Sequence, residues 1–160
     1  MKAIWSSACI AACLAVASVG SLAQDVTYRK DIKPMVDAKC TACHGAGSPS
    51  LAEFLLEEKK YAAAMKGPRL DTYADLLMLV GWTDAGAIMR RLDDGKNALA
   101  GGKPGNMYQY LGGTDEERAQ NLQTFKAWVG PDAWNLNRFK ARGKVPGISK
   151  EQLEKIQAKY

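Results

Sequence analysis

Histidine and cysteine are scarce in this chain, and their scarcity limits the metal sites and cross-links that it can form. The 160 residues include one histidine, His44, and four cysteines. Cys9 and Cys13 lie in an apolar N-terminal stretch, so only Cys40 and Cys43 remain if that stretch is removed. A single pair of cysteines excludes a disulfide framework. A structural zinc site needs four ligands, usually Cys and His, and the chain offers no second group of them.

The first 23 residues have the pattern of a secretory signal peptide. Lys2 gives a positive start, Ala3–Val19 are apolar or small, and Ser21-Leu22-Ala23 fits the small-x-small cleavage pattern. Two alternatives stay open. The apolar run is close to the lower limit of about 17 residues for an uncleaved membrane anchor, and Ile10-Ala11-Ala12 before Cys13 fits a lipoprotein. We therefore expect a periplasmic protein that is soluble or loosely associated with a membrane.

The charge balance does not indicate a nucleic-acid partner. The formal net charge is +5, and it falls to +4 when Lys2 leaves with the signal peptide. This excess is small and evenly spread, whereas nucleic-acid-binding domains concentrate basic residues on one face. The basic tail Trp134–Tyr160 has two interpretations: a docking surface for an acidic partner, or a segment that packs on the domain and is solvated outside.

The two remaining cysteines and the histidine form one motif, Cys40-Thr41-Ala42-Cys43-His44. A thioredoxin-like thiol pair needs a preceding strand and a βαβ context, and the residues before Cys40 indicate a helix instead. In an exported chain this spacing is typical of covalent attachment of a c-type haem. On one helical turn, both thiols can meet the two haem vinyl groups, and the following imidazole lies beneath the ring. We predict one haem c, attached through Cys40 and Cys43 and bound by His44.

A single histidine excludes ligation of the iron by two histidines. The sixth ligand is then methionine, lysine, a main-chain amine or water. Met107 lies in the loop "AGGKPGNMYQYLG", whose glycines let the backbone approach the haem ring closely. The other methionines after the signal peptide lie in segments with a helical apolar pattern: Met35, Met65, Met78 and Met89. We predict Met107 as the second iron ligand.

Apolar periodicity predicts helices and no strands. A domain of residues 24–130 is followed by an extension of residues 131–160. The predicted helices are Asp31–Cys43 with Asp31 as N-cap, Pro49–Met65, Asp71–Val80, Thr83–Asp93, and a helix from Thr114 to Gly130. Thr114 with Glu117, and Ser149 with Gln152 in the extension, have the pattern of a capping box. The second helix is expected to place Leu51, Phe54, Leu55, Ala62 and Met65 on one apolar side.

These features resemble a class I c-type cytochrome, in particular a bacterial monohaem cytochrome c domain. The matching pieces are a helix leading into "CTACHG", the element Gly67-Pro68-Arg69-Leu70, the loop methionine, and a last helix ending in "FKAWVG". The resemblance implies an all-α domain around one covalently bound haem, with His44 as proximal and Met107 as distal ligand. It also implies that a proline carbonyl accepts the Nδ1–H of His44. Pro68 matches that position, and Pro49 is the alternative.

The two haem propionates require polar partners, for which arginine is well suited. The candidates are Arg69, Arg90, Arg91, Tyr73 and Trp82. Of these, we assign Arg69 and Trp82 to cofactor binding together with Pro68. Arg90 and Arg91 have a simpler alternative, a solvated helix face beside Asp93 and Asp94.

A haem held by histidine and methionine has no free coordination position and exchanges single electrons. We therefore predict an electron-transfer protein rather than an enzyme. It would pass electrons between redox protein partners, either as a free carrier or as the electron-transfer subunit of an oxidoreductase. The alternative is a ligand-binding haem protein, such as a gas sensor or a small haem enzyme, with a weak or absent methionine ligand.

Overall fold

The computed structural model describes residues 25–81, 86–96, 102–134 and 148–160. Within these ranges the chain is helical and has no strand, which confirms the all-α class. The α-helices are α1 (Lys33–Lys39), α2 (Thr41–His44), α3 (Leu51–Leu56), α4 (Glu58–Ala63), α5 (Tyr73–Gly81), α6 (Ala87–Leu92), α7 (Asp115–Val129) and α8 (Lys150–Leu153). A π-helical turn spans Tyr28–Ile32, and 3₁₀ turns span Tyr108–Leu111 and Pro131–Ala133. None of the described helices is both long and apolar enough to cross a membrane. The predicted signal peptide lies outside the described residues.

The first helical segment begins at Tyr28, so the prediction of Asp31 as its N-cap is wrong. Thr27 is the cap: its hydroxyl accepts a hydrogen bond from Lys30 N–H at 3.3 Å. The carboxylate of Asp31 reaches back and accepts from Thr27 N–H at 2.8 Å. These reciprocal bonds satisfy two donors at the helix start, which favours Thr27 over Asp31 as the N-cap. The helix is also interrupted at Cys40, which separates α1 from α2.

The predicted second helix is two short helices, α3 and α4, separated at Glu57. Glu57 has φ −131° and ψ 41°, which is not helical. The predicted apolar side is also wrong in part, because side chains in it are exposed: Leu55 by 55% and Met65 by 77%. Leu56 is 84% exposed. Leu51 of the predicted side does pack against the core, but the periodicity across the whole segment does not correspond to one buried face.

The remaining helices agree with the sequence pattern to within a few residues. α5 begins two residues later than predicted, and α6 ends at Leu92. Thr83, the predicted cap of the fourth helix, lies outside the described residues. In α7, Thr114 accepts from Glu117 N–H as predicted. The carboxylate of Glu117 does not complete the capping box, since it binds Gly113 N–H and Lys39 instead. The capping box of Ser149 and Gln152 is confirmed.

The core is built between α7 and the first helical segment. Trp128, Phe125 and Leu122 of α7 are fully buried, and so are Ile32 and Val36. Their spacing of three or four residues places each set on one helix face. Burying each large apolar side chain contributes roughly 1.5–3 kcal/mol. The packing of α7 against the first helical segment fixes the end of α1, and therefore the position of the motif that follows it.

The last residues of the chain pack onto this core. Lys159 C=O accepts two hydrogen bonds, from Tyr28 N–H at 2.8 Å and from Trp128 Nε1–H at 2.9 Å. Ala158 C=O accepts from the hydroxyl of Tyr73 at 2.8 Å. The side chains of Tyr28, Tyr73, Trp128 and Tyr160 form an aromatic cluster around these bonds. The described end of the tail therefore packs on the domain, whereas residues 135–147 lie outside the described part.

Candidate haem site

Both cysteines of the motif lie on one helical turn. Cys43 N–H and His44 N–H donate to Cys40 C=O, at 3.2 Å and 2.9 Å. Neither thiol is in a disulfide; Cys40 is half-buried and Cys43 is exposed. Burial raises the pKa of the Cys40 thiol to about 11. Two reduced thiols three positions apart, followed directly by an imidazole on the same turn, are the donor set that covalent haem attachment needs, so the residues fit this cofactor.

His44 is oriented by the carbonyl group of Pro68. His44 Nδ1 lies 2.6 Å from Pro68 O. A carbonyl oxygen only accepts hydrogen bonds, so this contact places the proton on Nδ1 and leaves the Nε2 lone pair free for a metal. Burial lowers the pKa of His44, the bond to Pro68 opposes this, and the charge of Arg91 lowers it further. The neutral imidazole favoured by burial is the form that coordinates a metal ion.

The segment Gly67–Leu70 is fastened to the motif by main-chain hydrogen bonds. Gly67 N–H donates to Cys43 C=O at 2.9 Å, and Leu70 N–H donates to His44 C=O at 2.8 Å. Pro49 C=O accepts from Arg69 N–H at 2.8 Å. His44 is therefore bonded to the carbonyl of Pro68. The alternative carbonyl, that of Pro49, accepts from the main chain of Arg69 instead.

Met107 lies in the loop that is hydrogen-bonded to the end of α6, with its side chain half-buried against the core. Met107 N–H donates to Arg91 C=O at 2.9 Å. The guanidinium of Arg91 donates to the side-chain oxygen of Asn106 at 2.9 Å. Arg91 therefore holds the methionine loop through its main chain, while its charge acts on His44.

The predicted propionate partners lie in different surroundings. Arg69 donates to the carboxylate of Asp71, with Nε 2.6 Å from Oδ1. Arg90 is buried in α6. Tyr73 belongs to the aromatic cluster, where its hydroxyl binds the C-terminal segment. Trp82 lies outside the described residues. The assignment of Arg69 and Trp82 to cofactor binding stays a prediction.

Sequence reasoning missed two close backbone contacts at the site. A Cβ on Gly67 would lie 2.0 Å from His44 Cε1, so the imidazole ring rests on this residue. A Cβ on Gly105 would lie 2.3 Å from Arg91 O, so the methionine loop touches the end of α6 there. The loop glycines were expected to allow approach to the haem ring, and the close approach observed at Gly105 is to α6. A glycine in the sequence indicates a special backbone position, but it does not identify the partner.

Comparison with known proteins identifies the family of the chain. The model of the family described as PccH cytochrome c matches residues 27–160, which include the C-terminal extension. Among solved structures, the chain is similar to monohaem cytochrome PccH from Geobacter sulfurreducens, with 49% sequence identity and a TM-score of 0.71. The alignment covers 84% of this chain and 98% of that one. Curated protein sequences gave no match.

These matches confirm the resemblance to a monohaem c-type cytochrome and the prediction of a single covalent haem c. They also support a role in electron transport. The chain belongs to the PccH cytochrome c family.

Proposed function

We propose that this protein is a periplasmic carrier of single electrons, working as a free carrier or as the electron-transfer subunit of an oxidoreductase. Cys40 and Cys43 would form the thioether bonds to the haem, and His44 and Met107 would bind its iron. When bound, the haem supplies a one-electron couple between Fe(II) and Fe(III). If His44 and Met107 both bound the iron, no position would remain for an external ligand, which would favour electron transfer over ligand binding.

The observation that carries this proposal is the hydrogen bond between His44 Nδ1 and Pro68 O at 2.6 Å. It fixes the tautomer and direction of the imidazole, and such a partner makes a metal-bound histidine a stronger donor. Because the chain has no other histidine, a second side-chain ligand to the iron would have to be a different residue type.

The surroundings of the methionines favour Met107 for that position. Met89 is 2% exposed within the apolar core, where it fills space. Met65 lies in an exposed turn after α4, two residues before Gly67, whose backbone touches the imidazole ring of His44. Met35 lies in α1, directly before the attachment motif. Met35 and Met78 are half-buried as Met107 is, but both lie within helices, Met78 in α5. Met107 differs in that its half-buried side chain lies in a separate loop.

The export step and the partners belong to the same proposal. The Ser21-Leu22-Ala23 pattern supports cleavage before Gln24. Redox proteins are the partners that a one-electron carrier requires. Mass determination of the protein from a periplasmic fraction tests this: a mature chain starting at Gln24 with one haem supports it, and a chain retaining residues 1–23 contradicts it.

The ligand assignment is tested by the near-infrared band that a methionine–iron bond gives in the ferric state. The native holoprotein should show this band and should not bind carbon monoxide in the ferrous state. Met107→Ala should lose the band and bind carbon monoxide. Absence of the band in the native protein, with ready carbon monoxide binding, would instead support a ligand-binding haem protein.

A further inference from the structure

Two main-chain hydrogen bonds join the methionine loop to the end of α6. Met107 N–H donates to Arg91 C=O at 2.9 Å, and Gly105 N–H donates to Asp93 C=O at 2.8 Å. The two donors are two residues apart, and so are the two acceptors, so the segments pair like a short antiparallel ladder. The backbone position of Met107 is therefore set by the end of α6.

This pairing requires very close approach at Gly105. A Cβ at this position would lie 2.3 Å from Arg91 O and 2.4 Å from Arg90 O. Both obstacles are main-chain atoms of a helix end, which cannot turn away as a flexible side chain can. Any residue larger than glycine at position 105 must therefore move the loop away from α6.

Residues 93–95, which follow α6 and contact the methionine loop, also have a constrained backbone. Gly95 has φ +81°, and a Cβ there would lie 2.7 Å from the carbonyl carbon of Lys103. The buried carboxylate of Asp93 accepts from Gly95 N–H at 2.8 Å, which holds this turn in place. Residues 93–95 therefore form a fixed support against which the methionine loop rests.

We propose that the contact of Gly105 with the main chain of Arg90 and Arg91 positions Met107 as the axial ligand. Gly105 is then a positioning residue for the iron, two residues before the ligand itself. This inference rests on the proposed ligation by Met107. Ligand distances in a well-formed metal site lie within about 0.2 Å of their standard values, and relief of a 2.3 Å contact requires a backbone shift larger than that.

The test compares the holoproteins of Gly105→Ala and Gly113→Ala. Gly113 is a matched control: it lies after the 3₁₀ turn that follows Met107, and the nearest atom to a Cβ there is Glu117 Oε2, at 3.7 Å. Gly105→Ala should lose the near-infrared methionine–iron band and gain carbon monoxide binding, while the haem stays attached. Gly113→Ala should keep the native band. A folded Gly105→Ala protein with the native band overturns the inference.

A second variant covers the case in which Gly105→Ala does not accumulate. One glycine inserted between Gly105 and Asn106 keeps the contact at Gly105 and moves Met107 out of register with Arg91. Surface loops tolerate such insertions, so this protein should fold and attach haem but lack the band. Retention of the band would show that the pairing with α6 does not position the ligand.

Met107→Ala, measured in the same experiment, separates the proposed ligation by Met107 from the proposed role of Gly105. If it loses the band while Gly105→Ala keeps it, Met107 is the ligand and only the role of Gly105 is wrong. If Met107→Ala keeps the native band, ligation by Met107 is wrong, and the inference about Gly105 falls with it.

Discussion

The imidazole of His44 rests against the backbone of Gly67. A Cβ at position 67 would lie 2.0 Å from His44 Cε1 and 2.5 Å from Nδ1. The same ring is bonded through Nδ1 to the carbonyl of Pro68, the next residue along the chain. One dipeptide therefore supports the ring sterically and orients it by a hydrogen bond.

Gly67→Ala should disturb the proximal ligand without removing it. The added methyl group must push the imidazole away or move the segment Gly67–Leu70, and overpacking of this kind costs about 1–3 kcal/mol. We expect haem to remain attached through both cysteines, with a lower free energy of unfolding and a shifted reduction potential. Urea unfolding and redox titration measure the two effects.

Gly47→Ala is the control, because a Cβ there meets nothing within 4 Å. It should leave both the potential and the stability close to native. Equal potentials for Gly67→Ala and the native protein would mean that the ring position does not depend on this contact.

Truncation after Gln157 should destabilise the domain strongly. It removes Lys159, whose carbonyl accepts from Tyr28 N–H and Trp128 Nε1–H. Trp128 is fully buried, so its indole N–H would lose its partner, at a cost of about 1–3 kcal/mol. Thermal unfolding followed by circular dichroism should show a markedly lower Tm.

Tyr160→Ala is the milder comparison for this truncation. It removes the ring contacts to Tyr28 and Tyr73 but keeps the Lys159 carbonyl. We expect a smaller fall in Tm than for the truncated chain. A truncated protein as stable as Tyr160→Ala would show that the hydrogen bonds to Lys159 contribute little.

The attachment motif could be predicted from the sequence because its constraint is local. Cys40, Cys43 and His44 lie within one helical turn, and the spacing alone determines which atoms can meet one cofactor. The bond from His44 to Pro68 came from the resemblance to c-type cytochromes rather than from the residues. No pattern in the intervening residues says which of Pro49 and Pro68 lies at the ring.

Other features depend on contacts between distant parts of the chain, which periodicity does not contain. The helical spacing of apolar residues in the predicted helix Pro49–Met65 continues through Glu57, yet the helix breaks there. Leu56 faces solvent in the described structure. The approach of Gly105 to α6 is a meeting of backbones, so the sequence shows only that a glycine is present. The carboxylate of Glu117 fits a local capping box, but Lys39, far away in sequence, competes for it.

Met65→Gly should stabilise the protein. Met65 has φ +53°, a left-handed conformation that costs an L-residue about 1–2 kcal/mol. It follows the end of α4, where Lys66 N–H donates to Tyr61 C=O at 2.8 Å, an arrangement that favours glycine. The Met65 side chain is largely exposed, so little packing is lost. After the entropy cost of glycine, we expect a gain of about 0.5–1 kcal/mol in urea unfolding.

Ala64→Gly provides the matched control for Met65→Gly. Ala64 has φ −85° and needs no left-handed conformation, so glycine there should be neutral or destabilising. If both variants change the unfolding midpoint in the same direction and by the same amount, strain at Met65 is not the cause.

The ion pair between Lys39 and Glu117 should make stability depend on pH in the acidic range. Lys39 Nζ lies 2.6 Å from Glu117 Oε1, which links the residue before Cys40 to the start of α7. This bond, and a second one from Gly113 N–H, lower the pKa of Glu117 from its usual value of 4.5. A carboxyl group with a lower pKa in the folded state stabilises the protein above its unfolded pKa, and this contribution disappears as the pH falls through the folded value.

Glu117→Gln should therefore be less stable than the native protein near neutral pH, and the difference should shrink as the pH falls below about 4.5. Urea unfolding midpoints at a series of pH values measure it. Glu116→Gln removes the same charge from the same turn of α7 without breaking the bond to Lys39, so it separates this ion pair from general charge effects. A constant difference between Glu117→Gln and native protein across the acidic range would mean that loss of the ionised pair does not explain the acid sensitivity.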